Sequence, residues 1–475
     1  MGRPQDLTRG PLLGALVRLA TPVVVMQIAH TLYHWIDVVW VGRLGAEATA
    51  ALTTSFFAVW TAWAIGDMTG VAVAATVSRH VGAGDRAAAG YGAAQGVLLA
   101  AFSGVAVSIL GGLAAGPLFG LLGTPPGVAV QATTYLRIVL AGATISYLYI
   151  VGESVLRASG DTRTPLLVIA SSLGLNAVLD PFLIFGWGPF PVMGVAGAAT
   201  ATVIAQAFAV AWFAVLAWSR HPAFPFDFAA LSRPSPRYAA ALARIGIPFC
   251  LIGILYSVVY LWLAKVAAPF GTTALAVVGL ANRIESLTYL AAVGFGLACE
   301  AMVGQNLGAG RPERAERAAW LSTGLMAGLG LVVSLLMAVV PEALLGGFTS
   351  DPEVVARGVP YLRILALCQA FTAIEIVLNG AFSGAGDTLP PSLISVTVSL
   401  LRIPLAVGLA HGLGLGLPGI AWTITLTCIG RAIIVALWFR RGRWKTKALV
   451  TASAAPSPAM ATPSSSTLPP PDAAP

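Results

Sequence analysis

The chain has 475 residues, of which 57% are hydrophobic and only 10% charged, with a mean hydropathy of +0.84. Ordinary soluble domains carry roughly 25% charged residues, so this composition excludes a soluble enzyme and makes lipid the main solvent. A formal net charge of +8 does not indicate a nucleic-acid partner, because the basic residues lie in short loops between apolar stretches and form no single patch.

About twelve apolar stretches are long enough to cross a bilayer core of roughly 30 Å. In chain order they cover 11–41, 47–80, 86–112, 127–157, 162–186 and 194–220, then 237–267, 273–306, 312–342, 353–382, 388–412 and 416–440. Several exceed a simple crossing, which predicts tilt or extension beyond the membrane. The expected organisation is an N-lobe (1–220), a polar, proline-broken cytoplasmic connector (221–236), a C-lobe (237–440) and a disordered tail (441–475) rich in Ala, Ser, Thr and Pro. No cleavable signal peptide is expected, since the first apolar segment is long and lacks a small-residue cleavage site.

Basic residues fall between alternate spans: Arg79 and Arg86, Arg157 and Arg163, Arg220, Arg233 and Arg237, then Arg311, Arg314 and Arg317. The opposite loops hold only Arg43. Arg3 and Arg9 precede the first span, and Arg440, Arg441, Arg443, Lys445 and Lys447 follow the last. By the positive-inside rule both termini are expected in the cytoplasm, and the protein in the cell membrane. The four cysteines, Cys250, Cys299, Cys368 and Cys428, fall in different spans and form neither a disulfide framework nor a zinc spacing.

The chain repeats itself. Gly160-Asp161-Thr162 returns as Gly386-Asp387-Thr388, a displacement of 226 residues (387 minus 161), and Tyr135-Leu136-Arg137-Ile138 returns as Tyr361-Leu362-Arg363-Ile364 in the same register. Gly82-Ala83-Gly84 returns as Gly308-Ala309-Gly310, Arg18 and Pro22 as Arg244 and Pro248, and Pro126 as Pro352. Two homologous halves place a site at their shared interface. The short Gly-rich motifs lack the lysine and spacing of a phosphate loop and read as helix-end turns.

A carboxylate in hydrocarbon is costly and marks function. Asp37 in the first span follows Tyr33 by four residues, and Asp180 in the fifth follows Asn176 by four, so each pair shares a helix face. Apolar surroundings and a nearby second carboxylate both favour the neutral carboxyl. A pair that holds a proton at one membrane face and releases it at the other couples movement to H⁺; the bland alternative is that each acid simply bonds a neighbouring helix. Pro181 cannot bond back to Ala177, nor Pro22 to Arg18, which predicts kinks and an unwound turn beside a cavity. Asp67, Glu153, Glu285 and Glu300 are further acids within spans, without an assigned role. His30 and His34 have the i, i+4 spacing of metal ligands but no third ligand in sequence, so no metal is expected; His34 is also placed to share a proton with Asp37.

With these residues in view, the sequence resembles the multidrug and toxic compound extrusion (MATE) family over residues 11–440. The markers are Val303-Gly304-Gln305-Asn306-Leu307-Gly308-Ala309-Gly310, Arg157-Ala158-Ser159-Gly160-Asp161-Thr162 and Gly194-Val195-Ala196-Gly197-Ala198-Ala199. The resemblance implies an all-α polytopic membrane protein with two pseudo-symmetric six-helix lobes in a V. It also implies export of organic solutes driven by inward H⁺ or Na⁺. Tyr33, Asp37, Asn176 and Asp180 are similar to the proton-responsive cavity of the DinF-like branch. Tyr135 and Thr202 match its further hydroxyls, and Pro22 the bending proline of its first helix. NorM-like, Na⁺-coupled members carry acids at positions that fall near Tyr256 and Thr372 here, and neither is acidic, which favours H⁺. Arg283 resembles a C-lobe arginine of the family, either gating substrate or pairing with another helix, and Glu375 is a candidate displaced acid one turn from Thr372.

The expected activity is thus proton-coupled antiport of amphipathic, cationic organic compounds by a monomer that is not an enzyme, with no cofactor beyond the coupling ion. The alternatives are a flippase of a lipid-linked saccharide, whose cavity would be strongly basic, or a Na⁺-coupled MATE exporter. A membrane-embedded transferase would need clustered metal-holding acids or histidines at a membrane face, and a major-facilitator carrier a fuller basic motif than Gly82-Ala83-Gly84-Asp85-Arg86.

Overall fold

The computed structural model describes residues 5–449. Among these the fold is all helical: α1 Leu12–Gly42, α2 Ala46–Gly82, α3 Arg86–Leu121, α4 Pro126–Ala141, α5 Ala143–Ala158, α6 Arg163–Phe185 and α7 Val195–Trp218 form the first lobe. The second comprises α8 Pro236–Ala267, α9 Thr272–Gly308, α10 Pro312–Val339, α11 Pro341–Gly346, α12 Pro352–Ala366, α13 Gln369–Ala385, α14 Leu389–Val407 and α15 Leu417–Arg440. Ten helices are long and apolar enough to cross a membrane, or up to twelve if each of two bent pairs is one span. In lipid only structures that satisfy their own backbone are stable, and helices do so within one segment.

The repeat is legible in the helix ends. Both ends of α2 and α9 differ by 226 residues, and α3 and α10 begin 226 apart. The bends repeat too: α4 and α5 meet at 49°, α12 and α13 at 50°. A Cβ at Gly142, between α4 and α5, would lie 2.5 Å from the Val203 side chain, so α7 crowds this corner. Carbonyls freed at the bends are satisfied from the neighbouring helix. Ser108 Oγ donates to the Leu140 carbonyl at 2.6 Å and Ser334 Oγ to the Ala366 carbonyl at 2.5 Å, two bonds related by the same displacement.

Chain breaks therefore fall inside the fourth and tenth apolar stretches. The unwound turn expected at the prolines is not seen, since α1 continues through Pro22 and α6 through Pro181. One missing bond to the fourth residue back is tolerated where neighbouring helices hold the segment. The connector is equally well held. Gln95 Nε2 on α3 donates to the Ala230 carbonyl at 3.2 Å, and its Oε1 accepts from the Ser235 amide at 3.0 Å. Of the tail, residues 441–449 are packed, with Trp444 fully buried against Phe439; residues 450–475 lie outside the described residues.

The lobes meet through α1 on α9 and α2 on α8. Contact is close at the end of the molecule where Leu7 and Lys447 lie. A Cβ at Gly82 would overlap the Gln305 carbonyl, one at Gly308 the Arg79 carbonyl, and one at Gly304 the Ser78 hydroxyl. Arg79 and Gln305 are themselves related by the repeat, so the seal is symmetric. Gln305 Nε2 donates across it to the Ala158 carbonyl at 2.7 Å, and Asn306 Nδ2 to the Leu7 carbonyl at 3.1 Å. Arg79 Nη2 reaches the Lys447 carbonyl at 2.9 Å, while Lys447 Nζ pairs with Asp387 at 2.9 Å. The neighbouring Gly84 and Gly310 have φ of +78° and +69° and are the expected helix-end turns. Gly82 and Gly308 serve a different need, close backbone approach.

Replacing Gly82 or Gly308 with Ala should therefore cost the sealed arrangement about 1–3 kcal/mol through overpacking. Spin labels on the ends of α2 and α9 should report longer separations than in the parent. Gly328→Ala, where a Cβ meets nothing within 4 Å, should leave the distance distribution unchanged.

Candidate functional site

Three helices of the first lobe converge on a buried polar cluster. Tyr33 and Asp37 come from α1, Asn176 and Asp180 from α6, and Thr202 from α7. Asp37 is 3% exposed, and Asn176 and Asp180 are 0% exposed. Thr202 Oγ1 donates to Asp37 Oδ2 at 3.3 Å, and Asn176 Nδ2 donates to Asp180 Oδ1 and to Thr202 Oγ1, each at 3.3 Å. Asn176 and Thr202 thus join the Asp37 and Asp180 carboxyls in one hydrogen-bonded chain, and the two acids interact electrostatically. Tyr33 Oη donates to Ser172 Oγ at 2.5 Å, and Ser172 Oγ donates onward to the Ala205 carbonyl.

No arginine, lysine or histidine pairs with either carboxyl among the described residues. Ionising both would put two like charges near one another in a buried site without a paired cation, so the arrangement penalises the doubly charged state. Three buried oxygens, Asp37 Oδ1, Asn176 Oδ1 and Asp180 Oδ2, have no protein partner. Each is free to accept a bond from an arriving proton carrier. Tyr135 on α4, 6% exposed, closes the wall within an apolar cluster that includes Val41 and Ile184.

Of the two i, i+4 pairs, Asn176 bonds Asp180 directly, whereas Tyr33 turns to Ser172 and makes no hydrogen bond to Asp37; Thr202 bridges the two helices. Ser172 was missed, although Ser172, Asn176 and Asp180 follow one another at four-residue intervals on one face of α6. His34 does not share a proton with Asp37; its ring lies on Phe56 of α2, with centroids 5.1 Å apart. His30 turns instead toward Glu153, its Nε2 3.3 Å from Oε2.

The other candidates lie outside this cluster. The exposed Arg283 guanidinium sits 5.4 Å over the Trp35 ring of α1, an arginine of the second lobe on an aromatic of the first. Glu375 is buried, accepts from Ser395 Oγ at 3.2 Å and pairs with Arg431 at 3.3 Å, so its charge is already compensated. Glu285 accepts from Gln369 Nε2 at 2.8 Å. The Tyr256 ring packs at a 34° tilt against Tyr260, centroids 4.2 Å apart, and faces Trp60 of the other lobe at 6.3 Å. Thr372 lies in the first turn of α13. Asp67, Glu153 and Glu300 gather separately between the lobes.

Known proteins resemble this chain in sequence and fold. The MatE family model matches residues 22–182 and again 248–407, the two halves of the repeat. A probable multidrug resistance protein NorM from Thermotoga maritima is 29% identical over 443 residues, covering 92% of this chain and 94% of the relative. An FAD transporter from Shewanella oneidensis is 26% identical over 401 residues, covering 84% and 88%. Among solved structures, the outward-facing conformation of a multidrug resistance MATE family transporter of the MOP superfamily superposes with a TM-score of 0.86 at 27% identity, covering 94% of this chain and all of that one. With the family model matched on both halves and the fold shared end to end, the chain belongs to the MatE family, the multidrug and toxic compound extrusion transporters.

Proposed function

We propose that this protein exports amphipathic, cationic organic compounds in exchange for protons, with Asp37 and Asp180 as the shared proton carrier. The observation that carries the reading is a pair of buried carboxyls linked through Asn176 and Thr202, each with one unpartnered oxygen and neither paired with a cation. A proton arriving from the acidic side neutralises the pair. It also removes the need for polar partners, so α1 can pack more tightly against α6 and α7. Releasing the proton to the other side restores the charge and reopens the space. The cleft between the lobes offers Trp35, Phe56, Trp60 and Tyr256, surfaces that bind by shape and apolar area and tolerate many ligands.

The seal holds Leu7 and Lys447 at one end; with that end on the cytoplasmic side, the lobes would open outward in this conformation. Pro22 on α1 and Pro181 on α6 are the proposed flexing points. Each leaves one carbonyl without its helical donor, on the two helices that carry the acids. A second reading, export of an acidic nucleotide-like compound, is favoured by Arg402. It is buried at 2% exposure, donates to the uncharged Thr427 Oγ1 at 2.7 Å and Cys428 Sγ at 3.0 Å, and makes no ion pair among the described residues, although Glu285 and Glu375 interact with it electrostatically. Offering flavin adenine dinucleotide and a cationic dye to the same vesicles separates the two readings.

In proteoliposomes with the extracellular face acid, dye should move against its gradient without Na⁺. Asp37→Asn or Asp180→Asn should lower that rate to about a tenth or less. The double variant should lose little more than either single one, because the two groups act as a unit. Wild-type pumping by Asp37→Asn, or a strict need for Na⁺, would contradict the reading.

Pro22→Ala restores a backbone bond to Arg18 and stiffens α1. Dye affinity should stay within a few-fold, on the order of 1 kcal/mol or less, while turnover falls several-fold, since binding uses one state and turnover needs both. Both are measured on one purified variant. Unchanged turnover would place the flexing point elsewhere.

A further inference from the structure

Asp67 lies on α2 on the same helical stripe as Phe56, Trp60 and Trp63, at intervals of four, three and four residues. None of the four is fully buried. The Phe56 and Trp60 rings are 6.0 Å apart, and Trp60 faces Tyr256 across the lobe interface. Phe56 also meets the His34 ring and Trp63 the His30 ring of α1, so the stripe runs where α2 faces both α1 and α8 and ends on a carboxylate.

Charged groups from both lobes surround that end. Arg157 Nη1 on α5 pairs with Glu153 Oε1 at 2.9 Å, and its Nη2 lies 3.5 Å from Glu300 Oε2 on α9. His30 on α1 meets the other Glu153 oxygen. Asp67 interacts electrostatically with Glu153, His30 and Arg157 on its own lobe and with Glu300, Tyr289 and Cys250 on the other. It makes no hydrogen bond or ion pair of its own among the described residues.

Three carboxylates thus face one guanidinium and one imidazole, and even a charged His30 leaves the group one positive charge short. An uncompensated charge at this depth is costly. One further atom points to a missing donor: Glu300 Oε1 is buried and unpartnered, its residue 1% exposed. No group of three His, Cys, Asp or Glu among the described residues is placed to hold a metal ion.

Resting on the reading of this protein as an exporter of cationic compounds, we propose that Asp67 anchors the positively charged nitrogen of the exported molecule, with Glu300 as a second carboxylate and the Phe56–Trp60–Trp63 stripe as the bed for its aromatic body. The ligand class is an aromatic or polycyclic compound bearing a cationic nitrogen. Carboxylates neutralise the charge, and ring faces add cation–π attraction and apolar contact. Substrate and proton then occupy different acids, Asp67 between the lobes and the Asp37–Asp180 pair within the first lobe.

The test is equilibrium binding to the purified full chain in detergent at fixed pH, with no gradient, using ethidium as the cation and Nile red as an uncharged polycycle. Asp67→Asn should weaken ethidium on the order of tenfold or more, as expected when one partner of a desolvated charge pair is removed. Nile red affinity should stay within about twofold, which also shows that the variant is folded. Asp67→Glu should recover most of the ethidium affinity, and Glu300→Gln should show a smaller selective loss. Undiminished ethidium binding by Asp67→Asn, or an equal loss of both dyes, would overturn the anchor. Because no gradient is present, this outcome is independent of whether Asp37→Asn abolishes pumping.

Discussion

The linkage of the Asp37 and Asp180 carboxyls through Thr202 and Asn176 is the constraint on which the first lobe is organised. Two acids in apolar surroundings without a cation are tolerable only if a proton or a set of dipoles compensates them. The dipoles present are few: the Thr202 hydroxyl and the Asn176 amide, each at 3.3 Å. This is enough to orient the carboxyls and too little to settle two charges. A site that is under-solvated when ionised and satisfied when protonated makes the packing of α1 against α6 and α7 depend on one proton.

The lobe interface turns that local preference into a choice between arrangements. Its two halves obey one symmetry, with Gly82 against Gln305 mirrored by Gly308 against Arg79. Backbone-to-backbone contact of this kind has no gradual alternative, because the surfaces either meet or part. Arg157 crosses the same interface from Glu153 to Glu300, so separating the lobes also breaks a buried charged contact. A change of packing at α1, which itself lies on α9, thus has a two-state element to act on.

Much of this was legible in the chain. The repeat of 226 residues fixed the pairing of the lobes, and it survives in the bounds of α2 and α9. The acids announced themselves by their cost, and their neighbours by helical spacing. What was illegible depends on contacts between helices. The bends at Gly142 and Cys368 sit in apolar stretches without a breaking proline, and their sequence signal, the serines Ser108 and Ser334, lies on other helices. Gly82 and Gly308 look like turn residues beside Gly84 and Gly310, and only the approach of α2 to α9 separates the two uses. The spacing of His30 and His34 suggested a common partner, yet one turns to Glu153 and the other to Phe56. The prolines marked weakened bonds, but helices held on both sides do not unwind at them in this conformation.

The central claim is that the Asp37–Asp180 pair holds an exchangeable proton that substrate binding displaces. The most direct measurement is proton release into a weakly buffered solution, followed with a pH indicator as a cationic substrate is added to the purified protein. The account predicts about one proton released per substrate bound in the parent protein, and none in Asp180→Asn at matched occupancy. Equal release from both proteins would show that the displaced proton comes from another group and would contradict the account.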